Sequence, residues 1–103
     1  MSTDTIGKKL RELRGANQLP LRKVAAILDI DVAILSKLER GERNLTKEVV
    51  IKLAGLYNHS KDDLLVLYLS DKIMYEIRGE DLGEKALKVA EDRVKYLKSF
   101  NQK

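Results

Sequence analysis

The chain has 103 residues, of which 44% are hydrophobic and 35% charged, with a formal net charge of +4. This length suits one compact domain, or one small domain with an extension for oligomerisation, and the hydrophobic content argues against a wholly disordered chain. The absence of cysteine excludes disulfides, thiolate metal sites and thiol nucleophiles. His59 is the single histidine, so we expect a loop residue there rather than a ligand. We therefore expect no enzyme, no metal site and no cofactor.

Targeting and membrane signals are missing from the sequence. No apolar run approaches the roughly 18 residues that a membrane span requires. Residues 1–5 are polar, and no apolar segment follows them as it would in a signal peptide. We expect a cytoplasmic protein with no membrane partner.

The positive charge is confined to the first half of the chain. Residues 1–47 carry ten Lys/Arg and six Asp/Glu, whereas residues 48–103 carry ten of each. This asymmetry favours an anionic partner for the N-terminal part, and an ordinary solvated basic surface is the alternative explanation.

The first predicted helix follows from a stripe of apolar residues. Ile6, Leu10 and Leu13 recur at intervals of four and three, as on one face of a helix, and Gly15 or Asn17 would end it. We expect its outer basic residues to be mainly solvated, namely Lys8, Lys9, Arg11 and Arg14.

Two short helices are predicted next. Pro20 suits a helix start because it has no backbone N–H to lose there, which places one helix at residues 20–28. Asp31 is a good N-cap for a second helix over residues 32–40, and Gly41 can adopt the left-handed conformation that ends it.

The three residues between these helices form a tight turn. Ala25 is small where the helices must approach closely, Ile30 would insert the turn into the core, and Leu35 and Leu38 would anchor the second helix. This is the anatomy of a helix-turn-helix, whose second helix enters the major groove of DNA.

Three further helices are predicted in the remainder. Thr46 or Asn44 can cap the fourth. Ser60, with Asp63 three residues later, marks the start of the fifth, which runs over residues 64–77.

Two points about the last helices stay open. The apolar run over residues 64–69 is compatible with a strand by periodicity alone, and Ser70 and Asp71 could interrupt the fifth helix. The sixth helix, over residues 84–99, carries Leu87, Ala90, Val94 and Leu97 at heptad-like spacing.

Residues 6–58 resemble the phage-repressor (Cro/CI, xenobiotic-response-element) helix-turn-helix family. The segment ILSKLERGER at residues 34–43 is similar to that family's I-S-x-[IL]-E-x-G-x-R stretch, and IGKKLRELR at residues 6–14 is similar to its first helix. The resemblance implies an all-α, five-helix lambda-repressor-like bundle. It also implies DNA-binding positions: Val32, Ala33, Ser36 and Lys37 for bases, and Arg22, Arg40, Arg43 and Asn44 for the backbone.

The sequence departs from the family pattern near the turn. Leu21 stands where glutamine is frequent, and Asp29 and Asp31 bring negative charge close to the expected DNA face. The first turn of the third helix, residues 32–34, is apolar. Three interpretations stay open: these residues contact thymine methyls, contact a protein partner, or are partly covered by the core. Glu39 lies in the hallmark stretch and is expected to be structural, pairing with an arginine or capping a backbone group.

These observations predict a sequence-specific DNA-binding transcriptional regulator, specifically a repressor, that binds a pseudo-palindromic operator as a homodimer. Its partners would be double-stranded DNA and a second copy, with no small-molecule effector. Residues 1–63 would bind DNA and residues 64–103 would form a helical dimerisation extension of the same compact unit. The expected dimer residues are Leu65, Leu69, Ile73, Leu87, Val94 and Leu97. The alternative is a protein-interaction module on the same scaffold.

Overall fold

The computed structural model describes residues 5–101, over which the chain forms six helices and no strand. The helices are α1 (Ile6–Ala16), α2 (Leu21–Leu28), α3 (Val32–Glu39), α4 (Lys47–Leu56), α5 (Lys61–Ile77) and α6 (Gly83–Asn101). The predicted all-α class is confirmed for this part of the chain. The described residues divide into two compact units, residues 5–71 and 72–101.

Side-chain caps set the starts of three helices. Oxygens of Thr5, Thr46 and Ser60 accept hydrogen bonds from backbone N–H groups in the first turns of α1, α4 and α5, at 3.1, 3.3 and 3.2 Å. Each cap satisfies an N–H that has no partner within its own helix. The predicted caps of α4 and α5 are thereby confirmed, with Thr46 rather than Asn44 capping α4.

The helix-turn-helix is formed by α2, α3 and the residues between them. Pro20 is the N-cap of α2 rather than its first residue, and Asp31 is the N-cap of α3 as predicted. Asp29 ends α2 in the left-handed region at φ +58°, a conformation that aspartate tolerates better than most residues. Gly41, at φ +76°, takes the predicted left-handed conformation after α3.

The core of the first unit joins all of its helices. Ala25, Leu35 and Leu38 are buried, and Ile30 packs partly buried against the same core, as predicted. The other buried apolar residues are Ile6, Leu10, Val24, Val50, Leu53, Ala54, Tyr57, Leu64 and Tyr68. The last two come from α5, so this helix completes the core that holds α3.

Helix α5 is continuous across its apolar run. Residues 64–69 are helical, which rules out the strand, and Ser70 and Asp71 do not interrupt the helix. The Asp71 carboxylate accepts a hydrogen bond from the Ile6 N–H at 3.0 Å. A side chain of α5 therefore satisfies the first backbone donor of α1.

The second unit contains the end of α5, a turn and α6. Gly79 lies in the turn at φ +80°. A Cβ atom on Gly83 would lie 3.0 Å from both the Cβ and the carbonyl oxygen of Ile77, so the chain packs closely where α6 begins. Every side chain from Lys88 to Phe100 is exposed.

Candidate nucleic-acid interface

Helix α3 has a buried side and an exposed side. Leu35 and Leu38 fix the buried side to the core. Val32 is 44% exposed, and Ala33 and Lys37 are exposed as well, whereas Ser36 is half-buried. The structure thus presents the predicted base-reading positions together on one helix, with Ser36 the least accessible.

The predicted backbone-binding residues lie on α2 and just after α3. Arg22, Arg40, Arg43 and Asn44 are all exposed. The Arg40 Nε lies 2.7 Å from the Glu42 carboxylate, in an ion pair whose two side chains are about half exposed. Such a surface pair contributes less than about 1 kcal/mol, so a phosphate can displace the glutamate.

An inward-facing ion pair holds the end of α3 against α1. Arg14 donates from Nε and Nη2 to the two carboxylate oxygens of Glu39, at 2.8 and 3.1 Å, and from Nη1 to the Leu19 carbonyl oxygen at 3.0 Å. The expected structural pairing of Glu39 with an arginine is confirmed. The expectation that Arg14 is solvated is wrong, because Arg14 follows the buried Leu10 by four residues on the same helix face.

Helices α1 and α3 also touch through their backbones. A Cβ atom on Gly7 would lie 2.5 Å from the Glu39 carbonyl oxygen and 2.7 Å from that of Leu38. No real side-chain carbon fits at these distances, so Gly7 permits the close approach. Together with Arg14, it fixes the position of the helix that carries the candidate site.

Charge and burial around this pair change two pKa values. The hydrogen bond to Glu39 raises the pKa of Arg14, which keeps the guanidinium charged. Burial raises the pKa of Tyr57 to about 12, and the nearby Glu39 carboxylate adds to the increase. The Arg14 guanidinium therefore stays charged and the Tyr57 hydroxyl stays protonated near neutral pH.

Negative charge lies beside the exposed face of α3. Asp29 and Asp31 are exposed, and Asp31 caps α3 without a side-chain hydrogen bond to the helix. Both line an open cleft of about 420 Å³ together with Ala25, Ala26, Ile30 and Ile34. The cleft is shallow, and its acidic rim borders the first turn of α3.

Residues 5–101 contain neither a cluster of metal-ligating side chains nor a helix that could span a membrane. No three His, Cys, Asp or Glu side chains cluster there in a way that could hold a metal ion. His59 lies in the loop between α4 and α5. Within the same range no helix is both long and apolar enough to cross a membrane.

The predicted dimer residues differ in accessibility. Leu65 is partly buried against the core of the first unit, and Leu87 is half-buried in the second. The remaining four are exposed by 46 to 62% of their surface: Leu69, Ile73, Val94 and Leu97.

A second apolar row on α6 was missed by the sequence reasoning. Val89, Tyr96 and Phe100 are 56, 70 and 69% exposed, and the Tyr96 and Phe100 rings stack with centroids 6.3 Å apart. The signal was available, because Leu82, Val89 and Tyr96 repeat every seven residues. The apolar surface of α6 is therefore wider than one heptad seam.

Comparison with known proteins agrees with this geometry. The profile of the helix-turn-helix family matches residues 9–64, more than half of the chain. The chain therefore belongs to the helix-turn-helix family of Cro/CI type.

A curated relative extends the comparison. The chain is 41% identical over 58 residues to the HTH-type transcriptional regulator DdrOP3 of Deinococcus deserti. The match covers 56% of this chain and 45% of that protein, so the chain spans less than half of its relative's length.

Proposed function

We propose that the protein is a sequence-specific DNA-binding transcriptional regulator that places α3 in the major groove. The observation that carries this proposal is the exposed face of α3, with Val32, Ala33 and Lys37 accessible while Leu35 and Leu38 hold the opposite side. Recognition helices of this motif contact base edges with their N-terminal residues. The relative's name, a transcriptional regulator, supports the same function.

Basic and polar residues would bind the DNA backbone on either side of α3. Arg22 precedes it on α2, and Arg40, Arg43 and Asn44 follow it. The excess of Lys/Arg over residues 1–47 supplies the favourable field. In this proposal Ser36 and Lys37 read bases, and the arginines fix the register of the protein on the duplex.

The regulator would act as a homodimer. This part of the proposal rests on α6, where Val94 and Leu97 are exposed although a helix with a continuous apolar side is stable only when that side is covered. A second copy would double the phosphate contacts and bring two α3 helices to half-sites about 34 Å apart. The proposed division is a DNA-binding part at 1–63 and a dimerising extension at 64–103, whose Leu64 and Tyr68 also complete the core of the DNA-binding part.

Repression would follow from occupancy of the operator by the dimer. A dimer bound over a promoter on the bacterial nucleoid excludes polymerase without any catalytic step or bound cofactor. This mechanism requires only affinity and position, which in this proposal come from α3 and its flanking arginines.

Salt-dependent binding to DNA tests the proposal. We expect the full chain to bind a random-sequence duplex pool at about 50 mM salt, with affinity falling steeply as salt rises. Lys37→Ala and Arg43→Ala should each weaken binding and reduce the salt slope by about one. Lys88→Ala, an exposed lysine on α6, is the matched control and should leave the slope unchanged.

Two results would contradict the proposal. One is no salt-dependent binding to any duplex of the pool at 50 mM salt. The other is equal slope changes for all three variants, which would mean that only net charge matters. Sequencing the bound fraction provides the operator, and a palindromic consensus is the expected result for a dimer.

A second candidate function is a protein-interaction module on the same fold. The observation that favours it is the exposure of Ile27 and Val32, which are 55 and 44% accessible around the turn. A protein partner would cover these side chains as well as a DNA groove would. Absence of duplex binding, with retained folding, would favour this alternative.

A further inference from the structure

We infer that the first turn of α3 selects a pyrimidine that carries a methyl group at C5, through Val32, and rejects guanine through Asp31. The ligand chemistry is a 5-methylpyrimidine in the major groove, either thymine or 5-methylcytosine. This inference rests on the proposed DNA binding and adds which base feature the site recognises.

The first step is the apolar character of the exposed turn. Val32 and Ala33 are exposed and have no group that can donate or accept a hydrogen bond. Base edges in the major groove present donors, acceptors and a single apolar group, the C5 methyl of thymine. 5-Methylcytosine presents the same group at the same place. A methyl is therefore the feature that these side chains complement.

The second step is rigidity. Val32 is the first residue of α3, and its β-branched side chain has one strongly preferred rotamer in a helix. The buried Leu35 and the paired Glu39 hold the same helix in place. A base that contacts Val32 therefore causes little further loss of side-chain entropy. The free energy gained by burying a methyl rather than a hydrogen then appears almost fully as a difference in binding affinity.

The third step is the unused carboxylate of Asp31. The caps Thr5, Thr46 and Ser60 all bond to their helices, whereas Asp31 makes no side-chain capping bond to α3. An ionised carboxylate only accepts hydrogen bonds, and guanine presents only the acceptors N7 and O6 in the major groove. Beside Val32, Asp31 therefore penalises guanine, and the amino groups of cytosine (N4) and adenine (N6) are the base donors that suit it.

Negative charge near phosphates also reduces affinity for every sequence. Asp29 and Asp31 both line the cleft beside α3, within residues 1–47, which carry ten Lys/Arg against six Asp/Glu. A repulsive element of this kind raises specificity at the expense of overall affinity. This accounts for two carboxylates beside a proposed DNA-binding helix.

The test uses duplexes of the selected operator in which single pyrimidines are exchanged. Thymine is replaced by uracil, and cytosine by 5-methylcytosine, at each half-site position in turn, so that only the methyl changes. We expect one pyrimidine position per half-site to respond to the methyl. If that position is thymine, uracil there weakens binding about fourfold; if it is cytosine, 5-methylcytosine there strengthens binding about fourfold. The two arms distinguish thymine from 5-methylcytosine as the preferred ligand.

Variants assign the effect to residues. Val32→Ala should reduce the methyl effect to less than twofold, while Ile51→Ala, with a similar exposure of 41%, should leave it at about fourfold. Asp31→Asn should strengthen binding to random duplex about threefold and weaken the discrimination against guanine at the same position. Far-UV circular dichroism melts confirm that each variant is folded.

The outcomes separate this inference from the proposed function. If no duplex is bound at all, the proposed function fails and the inference fails with it. If a palindromic operator is bound but neither the thymine-to-uracil nor the cytosine-to-5-methylcytosine exchange changes affinity at any position, the inference alone is overturned. It is equally overturned if Val32→Ala retains the full methyl effect or if Asp31→Asn leaves guanine discrimination unchanged.

Discussion

Tyr57 is the residue whose polar atom fits its surroundings least well. Its hydroxyl is buried and makes no hydrogen bond within the described part of the chain. Burial and the neighbouring Glu39 carboxylate both disfavour the phenolate, which raises the pKa from 10.0 to about 12. A buried, unpaired hydroxyl costs free energy that an apolar ring of the same shape does not.

Tyr57→Phe should therefore stabilise the protein at pH 7, by up to about 1 kcal/mol. In the wild type the unfolded chain loses the phenolic proton near pH 10, before the folded chain does near 12. Stability from this group is thus fully present below pH 10 and lost as pH rises to about 12, by up to about 2 kcal/mol. Urea unfolding at pH 7, 10 and 11 measures both effects.

The exposed Tyr75 provides the matched control. Tyr75→Phe should leave the stability at pH 7 unchanged. A loss of more than 1 kcal/mol in Tyr57→Phe would instead mean that the hydroxyl is hydrogen-bonded in solution.

At the scale of elements, the contact between α1 and α3 determines where the recognition surface lies. Gly7 allows the backbones to meet, and the Arg14–Glu39 pair closes the contact at the other end. Gly7, Arg14 and Glu39 are not among the residues of the proposed DNA-binding face. Their role is to give α3 one position, so that its exposed turn is presented in a fixed orientation.

Two glycine substitutions in α1 should have opposite signs. Gly7→Ala places a carbon against two carbonyl oxygens and should destabilise the fold by about 2 kcal/mol, despite the better helix propensity of alanine. Gly15→Ala meets nothing within 4 Å and should stabilise by about 1 kcal/mol. Urea unfolding of both variants measures the difference, and equal effects would show that α1 and α3 do not pack as described.

Most of the helices and their starts were predictable from the sequence, because caps and apolar periodicity are local signals. Thr46, Ser60 and Asp31 mark helix starts, and the stripe of Ile6, Leu10 and Leu13 marks α1. The burial of the Arg14 side chain could not be predicted, because its partner Glu39 is 25 residues away in the sequence and only the fold brings the two side chains together. Leu65 is similar: helix spacing groups it with Leu69, but tertiary packing places it partly on the core.

At the scale of the whole molecule, α6 carries apolar side chains that a single chain leaves exposed. Val94, Tyr96 and Phe100 are exposed by 62 to 70%. An isolated helix of this kind is marginally stable in water and acquires stability by burying its apolar side. The local heptad pattern predicted the seam of Val94 and Leu97, but a partner's position is information that one sequence does not carry.

Val94→Asp should shift the proposed dimer to monomers in sedimentation equilibrium, because it places a charge in an apolar interface. Operator affinity should fall in parallel, since one half-site is then held alone. Ser99→Asp, which adds the same charge to another exposed position of α6, is the control and should leave the mass unchanged. An unaltered dimer in Val94→Asp would place the interface elsewhere.

The bond between Ile6 and Asp71 has a practical consequence for anyone who trims the chain. The family profile ends at residue 64, but the amide that opens α1 is satisfied by a carboxylate seven positions further on, and Tyr68 fills the core between them. A fragment cut at residue 64 would expose apolar core residues to water and leave the Ile6 N–H without its hydrogen-bond acceptor. The smallest self-sufficient piece of the N-terminal half is therefore longer than sequence comparison implies, and it ends no earlier than Asp71.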